Sequence, residues 1–327
     1  MEHPLWMWAV FAVSVIVLLI FDLGVLHKKP REIGVREALV LSVFYFLIAM
    51  AFNLWLFFSL GKQAGYEFFV GYVIEKSLSV DNIFVFVLIF THFGIPPKSQ
   101  HRVIFWGIMG AILLRGTMIM VGAELIHRFD EILYVFGAFL IYSGIKMLIA
   151  ADEEPDLENN RLLNFMRRKF RVSENYTGEK FFVRENGVRC MTPLFIVLVL
   201  VEVTDLVFAV DSIPAIFAIT TDSFIVLTSN VFAILGLRAL YFALAAVIHR
   251  FHYLKYALSL ILVFIGAKML VNHYFAAKII STELSLLVTV VLLVASIAIS
   301  LIKGDKAPSP LHTGWVPGSD SKGDSKE

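Results

Sequence analysis

Long apolar stretches, separated by short polar segments, run along most of this sequence. Each stretch has close to the roughly 20 residues that an α-helix needs to cross the hydrocarbon core of a bilayer. The nine stretches are residues 5–26, 38–60, 68–93, 103–126, 132–150, 193–220, 224–247, 254–271 and 284–302. The pattern therefore predicts an all-α, polytopic membrane protein with nine transmembrane helices in a transmembrane domain over residues 1–302.

The composition agrees with this class and excludes others. Of the 327 residues, 58% are apolar or aromatic and 17% are charged, whereas a soluble domain has about 45–50% and about 25%. The net charge of +1 gives no indication of a nucleic-acid partner. The single cysteine, Cys190, cannot form an internal disulfide and has no partner for a metal or redox motif.

Basic residues mark alternate connections between the predicted spans. Lys and Arg cluster after the first, third, fifth and seventh spans and at the start of the tail. The positive-inside rule then places the N-terminus outside and the C-terminus in the cytoplasm. Residues 151–192 are predicted to form a cytoplasmic loop with one short surface helix, and the polar, Pro-containing tail at 303–327 is predicted to be disordered.

An internal repeat relates two groups of three spans. The pairs that match are His127 and His249, Arg115 and Arg238, Glu75 and Asp205, Asp81 and Asp211, and Asn82 and Ser212. The units are spans three to five, residues 67–150, and spans six to eight, residues 193–272. A three-span unit ends on the opposite side of the membrane, so its second copy is inverted, as in many secondary transporters. The alternative, that all membrane helices resemble one another, does not explain the shared charged residues.

Ionisable residues gather near the middle of spans three and six. Each costs on the order of 3 kcal/mol at the bilayer centre, which predicts a functional site. The predicted metal ligands are Glu75, Asp81, Asn82, Glu202, Asp205 and Asp211. The predicted charge-compensating or gating residues are Lys76, Arg115, Arg238 and Ser212. The five carboxylates exceed the three cations by a formal charge that one divalent cation neutralises.

The type of ligand indicates the type of ion. Carboxylates, an amide and hydroxyls suit hard cations such as Mn²⁺, Mg²⁺ or Ca²⁺. Carboxylates in a low-dielectric site can also exchange protons for a metal ion, which favours metal/proton antiport. Pro214 predicts a break in span six at residues 210–213, whereas span three contains no helix breaker there. The competing interpretation is a structural network of salt bridges.

Three motifs resemble the TerC/Alx family of integral membrane proteins, named for tellurium resistance and placed among the LysE-like transporters. They are GYVIEKSLSVDN at 71–82, EVTDLVFAVDSIPAI at 202–216 and TSNVFAILGLR at 228–238. The likeness covers residues 5–302. It implies metal homeostasis in the bacterial inner membrane, with manganese export as the activity. It also implies that the six ligands named above form the ion site.

The leading hypothesis is a transporter that exports Mn²⁺, with Ca²⁺ as a second substrate, by alternating access. Its partners would be the lipid bilayer, the transported ion, protons, and other membrane proteins or a second copy of the chain, without a permanently bound cofactor. The alternative is a membrane scaffold that acts in stress or tellurite resistance through the 151–192 loop. An intramembrane hydrolase is less well supported, because no nucleophile and base accompany the acids. We therefore expect no enzymatic activity.

Overall fold

The computed structural model describes residues 3–26, 34–129, 131–149, 163, 171–173, 180–185, 188–245, 253–275 and 279–303. The helices in this part of the chain are α1 (Leu5–Leu26), α2 (Val35–Leu60), α3 (Lys62–His92), α4 (Pro97–Arg128), α5 (Ile132–Ile149), α6 (Pro193–Phe217), α7 (Ser223–Leu235), α8 (Leu237–Leu244), α9 (Leu254–Tyr274) and α10 (Thr282–Lys303). Each predicted span is helical over most of its described residues. The seventh is divided into α7 and α8.

The helices have the length and the surface of membrane spans. Seven of the described helices are long and apolar enough to cross a bilayer, and α7 with α8, bent by 41°, adds an eighth. The helix α3 has 31 residues, or about 46 Å at 1.5 Å per residue, but it carries charged residues along its length. Large apolar side chains such as Ile16 and Phe58 are exposed on the outer helices. The protein is an all-α polytopic membrane protein, and the number of nine crossings stays a prediction.

The predicted break in span six is wrong, because α6 runs without interruption through residues 210–213. Pro214 lies close to the C-terminal end of α6, so the hydrogen bond that it removes belongs to a short terminal segment. As expected, α3 has no break. The discontinuity lies in the following span, at Gly236 between α7 and α8.

Polar side chains stabilise both ends of α7. At its start, the Asp222 carboxylate accepts hydrogen bonds from the backbone N–H groups of Phe224 and Ile225. Near its end, the Lys76 ammonium donates to the carbonyl oxygen of Ala233 at 3.1 Å. A helix end inside a membrane leaves carbonyl groups without intrahelical partners. Lys76 therefore compensates for the break at Gly236.

The contacts between the helices can be grouped in pairs under the predicted repeat. The helix α3 packs against α6 and α7, α4 packs against α6 and α7, and α5 packs against α9. The repeat predicts that α3 corresponds to α6, α4 to the pair α7–α8, and α5 to α9. Exchange of the two units then turns the contact between α3 and α7 into the contact between α6 and α4. The same exchange leaves the contact between α5 and α9 unchanged. The two-fold relation of the units stays a prediction.

Close contacts between α5 and α9 follow the same correspondence. A Cβ atom added to Gly144 would lie 2.8 Å from the carbonyl oxygen of Ser259, and one added to Gly266 would lie 2.7 Å from that of Gly137. The repeat matches Gly144 with Gly266 and Gly137 with Ser259, so each contact is the counterpart of the other. Small residues allow the two backbones to approach closely.

The predicted cytoplasmic loop contains a β-hairpin that the sequence analysis missed. Strands β1 (Phe182–Glu185) and β2 (Val188–Met191) pair antiparallel, with Val183 opposite Cys190. The sequence Asn-Gly at 186–187, which favours two-residue hairpin turns, was the available signal. The predicted surface helix lies outside the described residues apart from the buried Leu163, and the predicted disordered tail lies outside them from residue 304 onward.

Candidate functional site

The four helices α3, α4, α6 and α7 bring their polar side chains together inside the protein. Gly71 permits the close approach of α3 and α7, because a Cβ atom there would lie 2.9 Å from the Ser229 hydroxyl. Glu75 follows one turn later on α3, and Asn230 follows Ser229 on α7. The carboxylate of Glu75 and the amide of Asn230 consequently meet, with the Asn230 Nδ2 atom 3.0 Å from Glu75 Oε2.

Arg115 of α4 lies at the centre of the cluster. Its Nε and Nη2 atoms donate to Oδ2 and Oδ1 of Asp205 at 3.0 and 2.9 Å, a bidentate pair. Its Nη1 atom donates to Glu75 Oε1 and, at 3.2 Å, to the Ser212 hydroxyl. Arg115, Glu75 and Asp205 are 1%, 0% and 3% exposed. A single buried guanidinium thus joins carboxylates from the two predicted repeat units.

Asn82 and Ser212, which the predicted repeat matches with each other, both contact the ionic network. Asn82 Nδ2 donates to Asp205 Oδ1 at 3.3 Å, and the Ser212 hydroxyl accepts from Arg115 Nη1, the atom that also donates to Glu75. Arg238, which the repeat matches with Arg115, binds Asp22 instead.

Three oxygen acceptors of the cluster are buried and have no hydrogen-bond partner in the described part of the chain. They are Oδ1 of Asn82, Oδ1 of Asn230 and Oε2 of Glu202. Glu202 lies one turn before Asp205 on α6, with its carboxylate against Gly110 of α4. Buried acceptors without a partner are costly unless water or an ion satisfies them. Their oxygens are of the kind that hard cations bind.

The charges of the described cluster do not balance. Glu75, Asp205 and Glu202 supply three carboxylates, and Arg115 supplies one guanidinium. Among the described side chains, however, no group of three or more His, Cys, Asp or Glu residues is arranged to hold a metal ion. The side chains of the predicted ligands Asp81 and Asp211 lie outside the described part of the structure.

Arg238 lies in a second buried cluster, apart from the first. Its Nη1 atom donates to Asp22 Oδ2 at 2.7 Å, and its Nη2 atom lies 3.2 Å from His101 Nδ1. The Tyr45 hydroxyl donates to Asp22 Oδ1 at 3.2 Å. Asp22 belongs to α1, which is outside both predicted repeat units. Arg238 therefore compensates the charge of Asp22.

The structure thus brings together most of the predicted site residues. Those in the first cluster are Glu75, Asn82, Asp205, Ser212 and Arg115, with Glu202 beside them. Lys76 contacts the broken span, and Arg238 the second cluster. Asn230 was not among the predicted site residues, although the motif at 228–238 contains it. That motif was the available signal.

The fold and the cluster define a class: a polytopic integral membrane protein with an ionic network buried between its helices. The sequence defines it further. Residues 60–307 match the sequence model of the integral membrane protein TerC family. The chain belongs to the TerC family.

Several bacterial proteins are similar to this chain over most of its length. An uncharacterized membrane protein of Myxococcus xanthus is 47% identical over 303 residues, which cover 93% of this chain and 94% of that protein. One of Rickettsia bellii is 46% identical over 296 residues, 90% of this chain and 97% of that protein. Alx of Escherichia coli K12, named as a proposed membrane-bound redox modulator, is 46% identical over 278 residues, 82% and 87% of the two chains. No solved structure matches this chain.

Proposed function

We propose that this protein is a secondary transporter that exports divalent metal cations across the bacterial inner membrane in exchange for protons. Mn²⁺ is the proposed main substrate and Ca²⁺ a second one. One observation carries the proposal: Glu75 and Asp205, at matching positions of the two units, meet in a buried cluster. The N-terminus would lie outside and the C-terminus in the cytoplasm. The proposal includes no enzymatic activity and no permanently bound cofactor.

The chemistry of the cluster supports cation exchange. The carboxylates outnumber the guanidinium, and the unpaired amide and carboxylate oxygens of Asn82, Asn230 and Glu202 add neutral and charged acceptors of the type that Mn²⁺ and Ca²⁺ bind. Carboxylates release protons when they bind a metal ion, which links the two fluxes. Charged groups buried in a membrane are costly, and a transport pathway accounts for their presence.

The names of the Alx relatives suggest a redox role, which the cluster supports less well. Thiol–disulfide exchange within one chain requires two cysteines, and the sequence contains only Cys190. That thiol lies on β2 in the predicted cytoplasmic loop, whereas the carboxylates belong to the helices α3 and α6. The carboxylate and amide oxygens of the buried cluster favour ion exchange over thiol exchange.

Mn²⁺ uptake into inside-out vesicles across an imposed pH gradient tests the proposal. Glu75→Gln and Asp205→Asn should abolish the flux, and Asp81→Ala and Asp211→Ala should do the same if these predicted ligands take part. Glu124→Gln is the matched control, because Glu124 also pairs with an arginine but is 60% exposed. Equal Mn²⁺ flux in vesicles with and without the wild-type protein would refute the transporter.

A scaffold remains the alternative function, and the hairpin is the observation that favours it. Phe182 on β1 is 44% exposed and could contact a partner protein. Deletion of residues 180–191 should abolish co-purification of partner proteins and leave Mn²⁺ flux intact if the scaffold function is correct. Substitution of Glu75 should have the reverse effect under the transporter hypothesis.

A further inference from the structure

Arg115 occupies the atoms that a transported cation would need. The two carboxylates of Glu75 and Asp205 have four oxygen atoms, and Arg115 donates hydrogen bonds to three of them. The fourth, Glu75 Oε2, accepts a hydrogen bond from Asn230. A metal ion would bind these same oxygen atoms. In the described arrangement, the guanidinium and a metal ion therefore compete for the two carboxylates.

Charge strengthens this competition at the pair of carboxylates. Arg115 leaves one negative charge in excess on Glu75 and Asp205 together, whereas a divalent cation alone neutralises both. The nearby Glu202 carboxylate adds a third negative charge to the cluster, so the total charge does not decide between the two cations. A divalent cation on the oxygens of Glu75 and Asp205 would, however, lie close to the guanidinium, and like charges repel strongly in a low-dielectric interior. This repulsion at short distance opposes joint binding.

The chain shows that the corresponding arginine of the second unit can lie outside the cluster. Arg238, the counterpart of Arg115 in the repeat, is also buried, but it binds the single carboxylate Asp22. The helix α4 is continuous through Arg115, and the polar contacts that hold Arg115 in the cluster are made by its side chain. Release of the guanidinium therefore breaks side-chain contacts only and does not require a break in the helix.

We infer that Arg115 is a tethered counter-ion of the cation site, and that the transported cation must displace it from Glu75 and Asp205. This inference rests on the proposed transport function. It makes Arg115 a specificity-determining residue. A guanidinium with several hydrogen bonds to carboxylates outcompetes a monovalent ion, which gains less electrostatic energy at the site. A divalent cation gains enough to displace it.

Equilibrium binding of Mn²⁺ to the purified full-length protein in lipid nanodiscs tests this inference. Isothermal titration of Arg115→Gln should show Mn²⁺ bound about tenfold more tightly than to the wild type, because the internal competitor is gone. Na⁺ in excess should now weaken Mn²⁺ binding to the variant and leave the wild type unaffected. A purely structural role of Arg115 would instead give weaker binding.

Two further variants complete the experiment. Arg238→Gln is the matched control for the loss of a buried arginine, and its affinity for Mn²⁺ should equal that of the wild type. Arg115→Lys retains a positive charge with fewer donors in a fixed geometry, so its affinity should lie between those of the wild type and Arg115→Gln. If Arg115→Gln does not fold, tighter Mn²⁺ binding by Arg115→Lys supports the inference alone.

The outcomes separate the inference from the function. Equal or weaker Mn²⁺ binding by both Arg115 variants, with Mn²⁺ transport by the wild type intact, overturns the tethered counter-ion and leaves the transporter standing. Absence of Mn²⁺ binding in the wild type and in both variants, together with absence of flux in vesicles, overturns both.

Discussion

An alanine at Gly266 is expected to destabilise the contact between α5 and α9. The added Cβ atom would lie 2.7 Å from the carbonyl oxygen of Gly137 and 3.0 Å from Leu140 Cβ, whereas ordinary contacts begin at 3.4 Å. The first of these neighbours is backbone, so no side-chain rotation can relieve the contact. The two helices must move apart by several tenths of an ångström.

The cost follows from two opposing effects. Overpacking costs about 1–3 kcal/mol, and a 2.7 Å contact with a backbone oxygen belongs to the upper part of that range, about 2–3 kcal/mol. Replacement of glycine by alanine inside a helix returns about 1 kcal/mol through helix propensity. The net destabilisation is about 1–2 kcal/mol, which corresponds to a fall of about 3–6 °C in the unfolding temperature for a domain of a few hundred residues.

Thermal unfolding of the purified protein in one detergent, followed by tryptophan fluorescence, measures this effect. Gly144→Ala should lower the unfolding temperature by a similar amount, because its Cβ atom would lie 2.8 Å from the carbonyl oxygen of Ser259. Gly116→Ala is the control on α4, since its Cβ atom would meet only Leu227 Cδ1 at 3.8 Å. If Gly266→Ala and Gly144→Ala unfold at or above the wild-type temperature, the close packing of α5 and α9 is refuted.

Three further predictions concern the buried charges. Gly110→Ala places a methyl group against the Glu202 carboxylate, the end of a flexible side chain, so it should reduce Mn²⁺ flux in vesicles with little change in unfolding temperature. Gly116→Ala should reduce neither, and equal flux for the two variants would contradict a role for Glu202. Glu202→Gln removes a charge whose Oε2 atom has no hydrogen-bond partner among the described residues. This variant should have a higher unfolding temperature and a lower Mn²⁺ flux than the wild type. A lower unfolding temperature of the variant would show that the charge of Glu202 is compensated in the wild type. Asp22→Asn leaves the buried Arg238 without its carboxylate, which should cost about 3–5 kcal/mol in chemical unfolding. Arg238→Gln in the same chain should restore much of that loss, and failure of the rescue would show that Asp22 does not act through this ion pair.

The sequence predicted the helices well, because membrane spans are specified by local composition. The predicted first span, residues 5–26, coincides with α1. Differences occur at polar ends: α3 begins at Lys62, six residues before the predicted span, since a helix can extend beyond its apolar part. The internal repeat also predicted that Glu75 and Asp205 are equivalent, and the structure brings both to Arg115.

The remaining features depend on contacts between distant helices, which no local pattern encodes. The break at Gly236 was not predicted, because an isolated glycine is compatible with a continuous helix and Pro214 was the stronger local signal. The role of Asn230 depends on the close approach of α3 and α7 at Gly71. Arg238 was predicted to compensate the midplane carboxylates because it lies in the middle of the seventh span, but helix α1 supplies another partner, Asp22.

The helices outside the repeat explain why two similar units form an unequal cluster. Asp22 of α1 and Tyr45 of α2 hold Arg238 away from the carboxylates. The chain also bends at Gly236, two residues before Arg238, and the segment from Ala111 to Arg115 has no residue that corresponds to this glycine. If both arginines bound Glu75 and Asp205, these two carboxylates would be fully neutralised and would have little affinity for a cation. Because Asp22 binds Arg238, one negative charge stays in excess. On the proposed function, α1 and α2 therefore preserve the charge on which cation binding depends.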